Sequence, residues 1–463
     1  MNVKDAYLRA CFLALVFFWV APAQALGPHQ VVVVVNRTVP DSQAVADQYV
    51  KMRGIPPSHV IAVEVPEESL TPPYAISRDE FESAIFNPVE AEIKERNLPP
   101  IYAWIYSVGF PTKVTTGSTD DLSIHGMTFL RGRVPNADEV KQGKYASPLF
   151  AGPGMPKGTV GPARSFDVSM RGALENHPVP SMSLGFIGPG GSTLESVLRC
   201  LTRGALSDGT APGGTVYLIK NPNVRSTARD WQFIPIQGIL TKMNIRCQVL
   251  TNEISGKTDI LGLQNGRTHV DAVGYGRYLP GAMAEHLTSF GAIFEDPGQS
   301  HCTDWINAGA TASSGTITEP YAIWTKFPAA TFYVYYAQGC TVIESFYQSV
   351  KCPLQLFMVG DPLASPWRRM FSVTLVSLEE GSLSGVADFF VQLDPPPPRG
   401  VPIQLKAYLD GVPVFQPPTG PGISLDTRKM SNGPHRLRVV AEFGQNVLWS
   451  AQDERAFTVK NPE

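Results

Sequence analysis

The chain contains no Cys-x-x-Cys, no His-Glu-x-x-His and no Gly-x-Ser-x-Gly. The first two absences remove the commonest dithiol and zinc arrangements, and the third removes the strand-to-helix turn that exposes a catalytic serine. Charge is sparse: Asp, Glu, Lys and Arg make up 17% of residues, against about 25% in an average domain. The net charge is −3, and no basic stripe is interleaved with aromatics. Nothing therefore draws the chain to nucleic acid or to an anionic membrane. Beyond residue 25 no apolar run reaches the roughly 20 residues that a membrane span needs. The Gly-Pro-Gly-Gly-Ser-Thr stretch at 188–193 lacks a P-loop lysine and the Gly-x-Gly-x-x-Gly spacing, so it reads as a tight turn, not a phosphate cradle. No cofactor is expected.

What the sequence does have begins at its first residues. Lys4 and Arg9 precede an apolar run at 10–20, and Ala23-Gln24-Ala25 follows. A positive start, a short apolar core and a small-x-small site form an export signal cleaved after Ala25. The expected location is secreted or periplasmic, with no membrane span after cleavage. Hydrophobic residues make up 43% of the chain, and glycine and proline number 41 each. That is a loop-rich globular protein with room for more than one core. Past residue 25 the cysteines are Cys200, Cys247, Cys302, Cys340 and Cys352. An odd number leaves at least one thiol unpaired or intermolecular, and a chain this long needs no disulfide staples.

Five valines at 31–35 form a strand buried on both faces, as in a parallel sheet. Residues 41–53 follow as a helix closed by Gly54 and Pro56, and 60–65 as a second strand. Ser77 and Glu80 form a capping box, and Pro88 restarts a short helix. A strand at 101–107 precedes a long excursion at 108–180 that carries Asp120, Asp121 and His125; segments of this length without regular structure are often functional. Further strands are expected at 182–187, 215–220, 246–251, 270–274, 292–295, 311–317 and 356–359. Helices fall after a Ser192–Glu195 capping box and at 340–351. From 371 onward strict alternation takes over: Ile403, Leu405, Ala407 and Leu409 face one way, as do Leu437, Val439 and Ala441. The fold class is α/β: two mostly parallel α/β layers followed by an all-β immunoglobulin-like sandwich. The expected boundaries are a signal peptide at 1–25, a first α/β part at 26–205, a second at 206–368 and the sandwich at 369–463.

Ligands of parallel α/β sheets sit beyond the carboxyl ends of the strands. The strand-end reading gives Tyr275, Glu319 and Asp361 as candidates there. Two carboxylates at one edge serve as acid and base or hold a cation, while Asp and Glu near proline also serve as turn caps. His286 and Ser289 are further candidates. Cys302 stands beside His301, but neighbours in sequence do not make a Cys–His dyad, which is assembled across the fold. Glu285-His286 and His301-Cys302, as adjacent pairs, make no chelate alone.

Several segments carry a resemblance. They are Leu279-Pro-Gly-Ala-Met-Ala-Glu285, Ala308-Gly-Ala-Thr-Ala-Ser-Ser-Gly-Thr316, Thr318-Glu-Pro-Tyr321, Glu344-Ser-Phe-Tyr347 and Val359-Gly-Asp-Pro362. Together with 35–42 and 76–81 they resemble an uncharacterised family of exported bacterial proteins from genomes with the PEP-CTERM export system. More distantly, the layout is similar to gingipain-like cysteine peptidases of caspase-like fold. That resemblance implies paired α/β parts, an immunoglobulin-like module, a catalytic His-Gly after one strand and a Cys after the next. With strands at 270–274 and 292–295, Tyr275 stands at the histidine position and no cysteine stands at the other. The resemblance thus implies a pseudoenzyme that binds an extracellular or periplasmic protein or glycan. The alternative is an exported, peptidase-like hydrolase using His286, Ser289, Glu319 or Asp361 at the sheet edge.

Overall fold

The computed structural model describes residues 23–462 apart from 25, 118–120, 155–157, 171–176, 377–381, 397–398, 402, 416–421 and 444–446. Lys4, Arg9, the apolar run at 10–20 and Asp120 lie outside the described residues. No helix among the described residues is long and apolar enough to cross a membrane.

Ten strands form one large sheet. They are β1 (Val31–Asn36), β2 (Val60–Val63), β3 (Ala103–Tyr106), β4 (Ser181–Ser183), β5 (Thr215–Ile219), β6 (Arg246–Leu250), β7 (Lys257–Gly266), β8 (Gly276–Leu287), β9 (Ala312–Thr316) and β10 (Leu356–Gly360). Their order across the sheet is β6-β5-β7-β8-β9-β10-β4-β3-β1-β2. Pairing is parallel from β6 to β9 and again from β4 to β2. Strand β10 runs antiparallel to β9 and meets β4 at the single pair Val359–Ser183. The two α/β halves read from the sequence as side-by-side layers are therefore the two wings of one mostly parallel sheet, joined through β10.

The valines of β1 are wholly buried, because helices cover both faces of the sheet. Helix α1 (Pro40–Arg53) begins with proline at its first turn and ends at Gly54, whose φ of 63° suits glycine. Ser77 and Glu80 do form the expected capping box. There is no break at Pro88, however: a π turn at Phe81–Phe86 runs on into α2 (Asn87–Glu95). Helix α4 (Leu194–Ser207) is capped by Thr193, whose hydroxyl accepts from the Ser196 amide, and not by Ser192.

The excursion at 108–180 packs onto the sheet. Lys113–Thr115 joins Ala75–Ser77 and Leu122–Ser123 in a small three-stranded sheet. Helix α3 (Ile124–Phe129) follows, capped by Ser123. All six of its residues are buried, and Gly126 lies so close to the Leu354 carbonyl that no Cβ would fit. His125 sits between the Ser181 and Ser183 hydroxyls at 3.1 and 3.4 Å.

The main departure from expectation lies at 257–295. Residues 270–274 and 292–295 are turns, and the strands there are β7 and β8. Their pairing shifts register between Lys257 and Gly262. Such bulges break the two-residue alternation on which a strand is recognised. Helix α5 (Phe233–Lys242) precedes them, and α6 (Cys302–Ala308), α7 (Thr331–Ala337) and α8 (Val342–Ser349) follow.

After the sheet come eight antiparallel-rich strands: β11 (Ser372–Val376), β12 (Ser382–Leu383), β13 (Val386–Asp394), β14 (Ile403–Leu409), β15 (Val412–Phe415), β16 (Gly422–Asp426), β17 (Gly433–Phe443) and β18 (Val447–Val459). Strands β11, β13 and β16 form one sheet; β18, β17, β14 and β15 form the body of the other. Phe371, Val373, Phe389 and Ile423 from the first share a core with Leu437, Val439, Ala441 and Phe457 from the second. Ala23–Gln24 adds to the edge of β18, parallel to Val447–Leu448. Among the described residues the five cysteines are all free thiols, four of them buried.

Candidate functional site

In the β6-β5-β7 arrangement, successive strands depart to opposite sides of β5. The carboxyl ends of β5 and β7 are thus the place where such a sheet opens a crevice. Asn221 follows β5 there. Its side-chain amide donates to Asn265 Oδ1 and to the Gly266 carbonyl, each at 3.2 Å. Its own carbonyl oxygen accepts from the Asn223 amide, and the Asn221 amide donates to Ser226 Oγ at 3.0 Å. The bonds to Asn265 and Gly266 tie the ends of β5 and β7 together.

Around it lies a connected polar group. The Asn265 amide donates to both Glu253 oxygens at 3.2 Å. Arg267 pairs with Glu253 at 2.5 Å, and the Tyr275 hydroxyl makes a short bond to the same carboxylate. Burial, followed by Glu253, raises the Tyr275 pKa. The Tyr275 ring stacks on Trp305, 5.8 Å between centroids. The Trp305 indole N–H donates to His286 Nδ1 at 2.9 Å, and His286 Nε2 lies 3.1 Å from the Ser300 carbonyl. A ring that accepts at Nδ1 and donates at Nε2 is neutral. Burial accordingly pushes its pKa down to about 3. Replacing Trp305 with phenylalanine should leave Nδ1 unpaired at a cost of about 1–3 kcal/mol. It should also move the His286 pKa up towards its ordinary value, visible in an NMR titration of the histidine rings.

Next to His286, Glu285 is fully buried against Arg229. Burial raises this carboxyl to about 7 despite the guanidinium. Arg229 also donates to the carbonyls of Asn265 and Pro328, so it ties β7, β8 and the approach to α7 together. Ser289 is held by its surroundings: its hydroxyl is 3.3 Å from Arg225, and its amide donates to Gln299 Oε1 at 3.0 Å.

The other three candidates lie apart. Cys302 opens α6 with no exposed surface, and its amide donates to Gly291 O at 2.7 Å. Burial, then Asp304, raises the thiol pKa. The neighbouring His301 turns away, its Nε2 at 3.1 and 2.9 Å from the Ile293 and Asp296 carbonyls. Glu319 is exposed and accepts from the Tyr321 amide at 2.8 Å, the turn-capping role.

Asp361 is at the opposite edge. Because β10 is antiparallel to β9, its last residues meet the first of β9: Gly360 faces Ala312, and the Asp361 amide donates to the Thr311 carbonyl. There Asp361 forms a short ion pair with Arg53 and accepts from the Tyr49 hydroxyl at 3.0 Å. The expected meeting of Tyr275, Glu319 and Asp361 at one edge does not occur. Tyr275 and His286 do meet, through Trp305. Sequence reading missed Glu253, Asn221, Asn265 and Trp305; the only signal for them was an asparagine after β5 and another near the end of β7, which are neighbours in the sheet and not in the chain. No group of three or more His, Cys, Asp or Glu among the described residues is placed to hold a metal ion. Compared with protein-family models the chain matches none, and no curated protein matches it.

Proposed function

We propose that the protein is an exported binding scaffold on a caspase-like frame, without the cysteine-peptidase dyad, acting on an extracellular or periplasmic protein or glycan. What supports the frame is the strand order of the second wing. It runs second-first-third-fourth-fifth-sixth with the sixth antiparallel, followed by a two-sheet β module. With β7 and β8 as the third and fourth strands, the His-Gly position falls on Asn265-Gly266, and not on Tyr275. The cysteine position falls at the end of β8, among His286, Leu287, Thr288 and Ser289, where no cysteine stands.

The observation that carries the reading is the engagement of His286 at both ring nitrogens while the nearest cysteine in sequence, Cys302, is sealed in the core. A thiol hydrolase needs a thiolate and a base within reach of each other. The alternative, a hydrolase built on His286 and Ser289, needs an imidazole nitrogen free to take a proton, and neither is free. The test is a thiol-directed electrophile applied to the purified native protein, with peptide cleavage followed in parallel. Cys302 should label only after unfolding, and Cys302→Ala should leave any background cleavage unchanged. Stoichiometric native labelling of Cys302, or saturable cleavage lost in Cys302→Ala, would overturn the proposal.

A further inference from the structure

Helix α8 opens with a capping box: the Thr341 amide and hydroxyl each donate to Glu344 Oε2 at 3.0 Å. The other oxygen, Oε1, points away from the helix. It accepts from the Leu26 amide at 3.0 Å and the Phe166 amide at 3.3 Å. Glu344 has no exposed surface. Among the described residues no Lys, Arg or His pairs with it, whereas Glu285, Asp361 and Glu442, the other fully or nearly fully buried acids, each face a cation. Burial leaves the Glu344 carboxyl at about 7. An isolated buried carboxylate is costly unless a positive charge is supplied.

Leu26 is the residue that follows the Ala23-Gln24-Ala25 cleavage motif. Cutting the Ala25–Leu26 bond turns the Leu26 amide, already 3.0 Å from Glu344, into an α-amino group. Such a group has an ordinary pKa of about 8 and is mostly cationic at neutral pH. We infer that the amino terminus created by signal cleavage is the missing cation, and that the mature protein is locked by an ion pair between the Leu26 α-ammonium and Glu344. This rests on the exported reading above, with cleavage after Ala25. The ion pair ties the start of the mature chain to α8, a helix packed in the core of the large sheet. Cleavage also removes Ala23–Gln24 from the edge of β18, so the same cut that charges the interior frees that edge.

The full precursor is exported from a bacterial host, and the purified protein is weighed intact. A mass that begins at Leu26 satisfies the export reading; any other start refutes that reading and the inference falls with it. The native protein is then treated with an amine-reactive reagent at neutral pH, and the Leu26 peptide is quantified. The α-amino group should be protected at least about tenfold relative to the unfolded chain. Labelling at the unfolded rate would overturn the ion pair while leaving cleavage intact. Glu344→Gln keeps a capping side chain and removes the charge. It should lower the thermal midpoint of the mature protein by roughly 5 °C or more. The same substitution should have a much smaller effect in a chain produced with Ala23-Gln24-Ala25 retained. Equal losses in the two backgrounds would also overturn the inference.

Discussion

Replacing Asp361 with alanine is expected to lower the free energy of unfolding by about 3–5 kcal/mol, the usual loss when one member of a buried ion pair is removed. Its partner Arg53 has a side chain only 4% exposed and bonds Asp208 at 2.7 Å as well as Asp361. Arg368 completes the group, 3.3 Å from Asp208. Asp361 also accepts from the Leu363 amide at 3.1 Å and the Tyr49 hydroxyl. Removing it strands a guanidinium and a phenol in the interior and frees the turn after β10. Gly204 of α4 packs directly on the Asp361 side chain, leaving no room for a Cβ, so the helix loses its contact too. Glu319→Ala, at an exposed turn, should change stability by no more than about 0.5 kcal/mol. Denaturant unfolding of the two variants separates a structural carboxylate from a surface one. An Asp361→Ala loss below about 1 kcal/mol would mean that Asp208 alone satisfies Arg53.

The second expected result is steep destabilisation by mild acid. Burial holds His59, His125 and His286 at about 3, against an ordinary value of 6.5, and lowers His29 as well. Groups with a lowered folded pKa contribute stability that is present above 6.5 and lost as pH falls towards 3, because only the unfolded chain takes up the protons. Glu285 acts in the other sense; Glu344, paired with the Leu26 ammonium in the mature chain as inferred above, is left out of the sum. The Glu285 carboxyl is raised from 4.5 to about 7, so its contribution is complete below 4.5 and is lost as pH rises to 7. Between 6.5 and 4.5 the unfolded state gains three protons on His59, His125 and His286, and the folded state holds one on Glu285. The difference is a loss of about 3 kcal/mol per pH unit on acidification. Stability should peak near pH 6.5, fall by the larger slope on the acid side and by about half that slope up to pH 7. Denaturant midpoints across this range measure it; a rise in stability from pH 6.5 to 5 would show that the histidines do not remain neutral when folded.

Much of the frame is legible in the sequence because local chemistry sets it. The valines of β1, the α1 helix with its glycine stop and the Ser77–Glu80 box all encode their own structure. The alternation at 437–441 places Leu437, Val439 and Ala441 in the sandwich core, although Ile403 at the start of β14 is exposed. The site was less legible. Strands β7 and β8 carry Asp259, Gly262, Pro280 and Gly281, and their bulges hide the alternation. With those strands displaced, Tyr275 reads as a strand end although it precedes β8. Asp361 was placed at the wrong edge because a short apolar segment does not reveal its direction; only its pairing with β9 does. Asn221 and Asn265 resemble ordinary turn residues until β5 and β7 become neighbours.

Strand β10 also sets an order on the making of this protein. It is the last of the ten strands to be synthesised, yet it lies between the two wings. Until residue 360 has emerged, β4 and β9 each present an unpaired edge, and neither wing can be closed by the other. If export proceeds as proposed above, the C-terminal end of the sheet crosses before the sheet is complete. On the proposed export reading, the open edges of β4 and β9 delay completion of the sheet until that end has crossed.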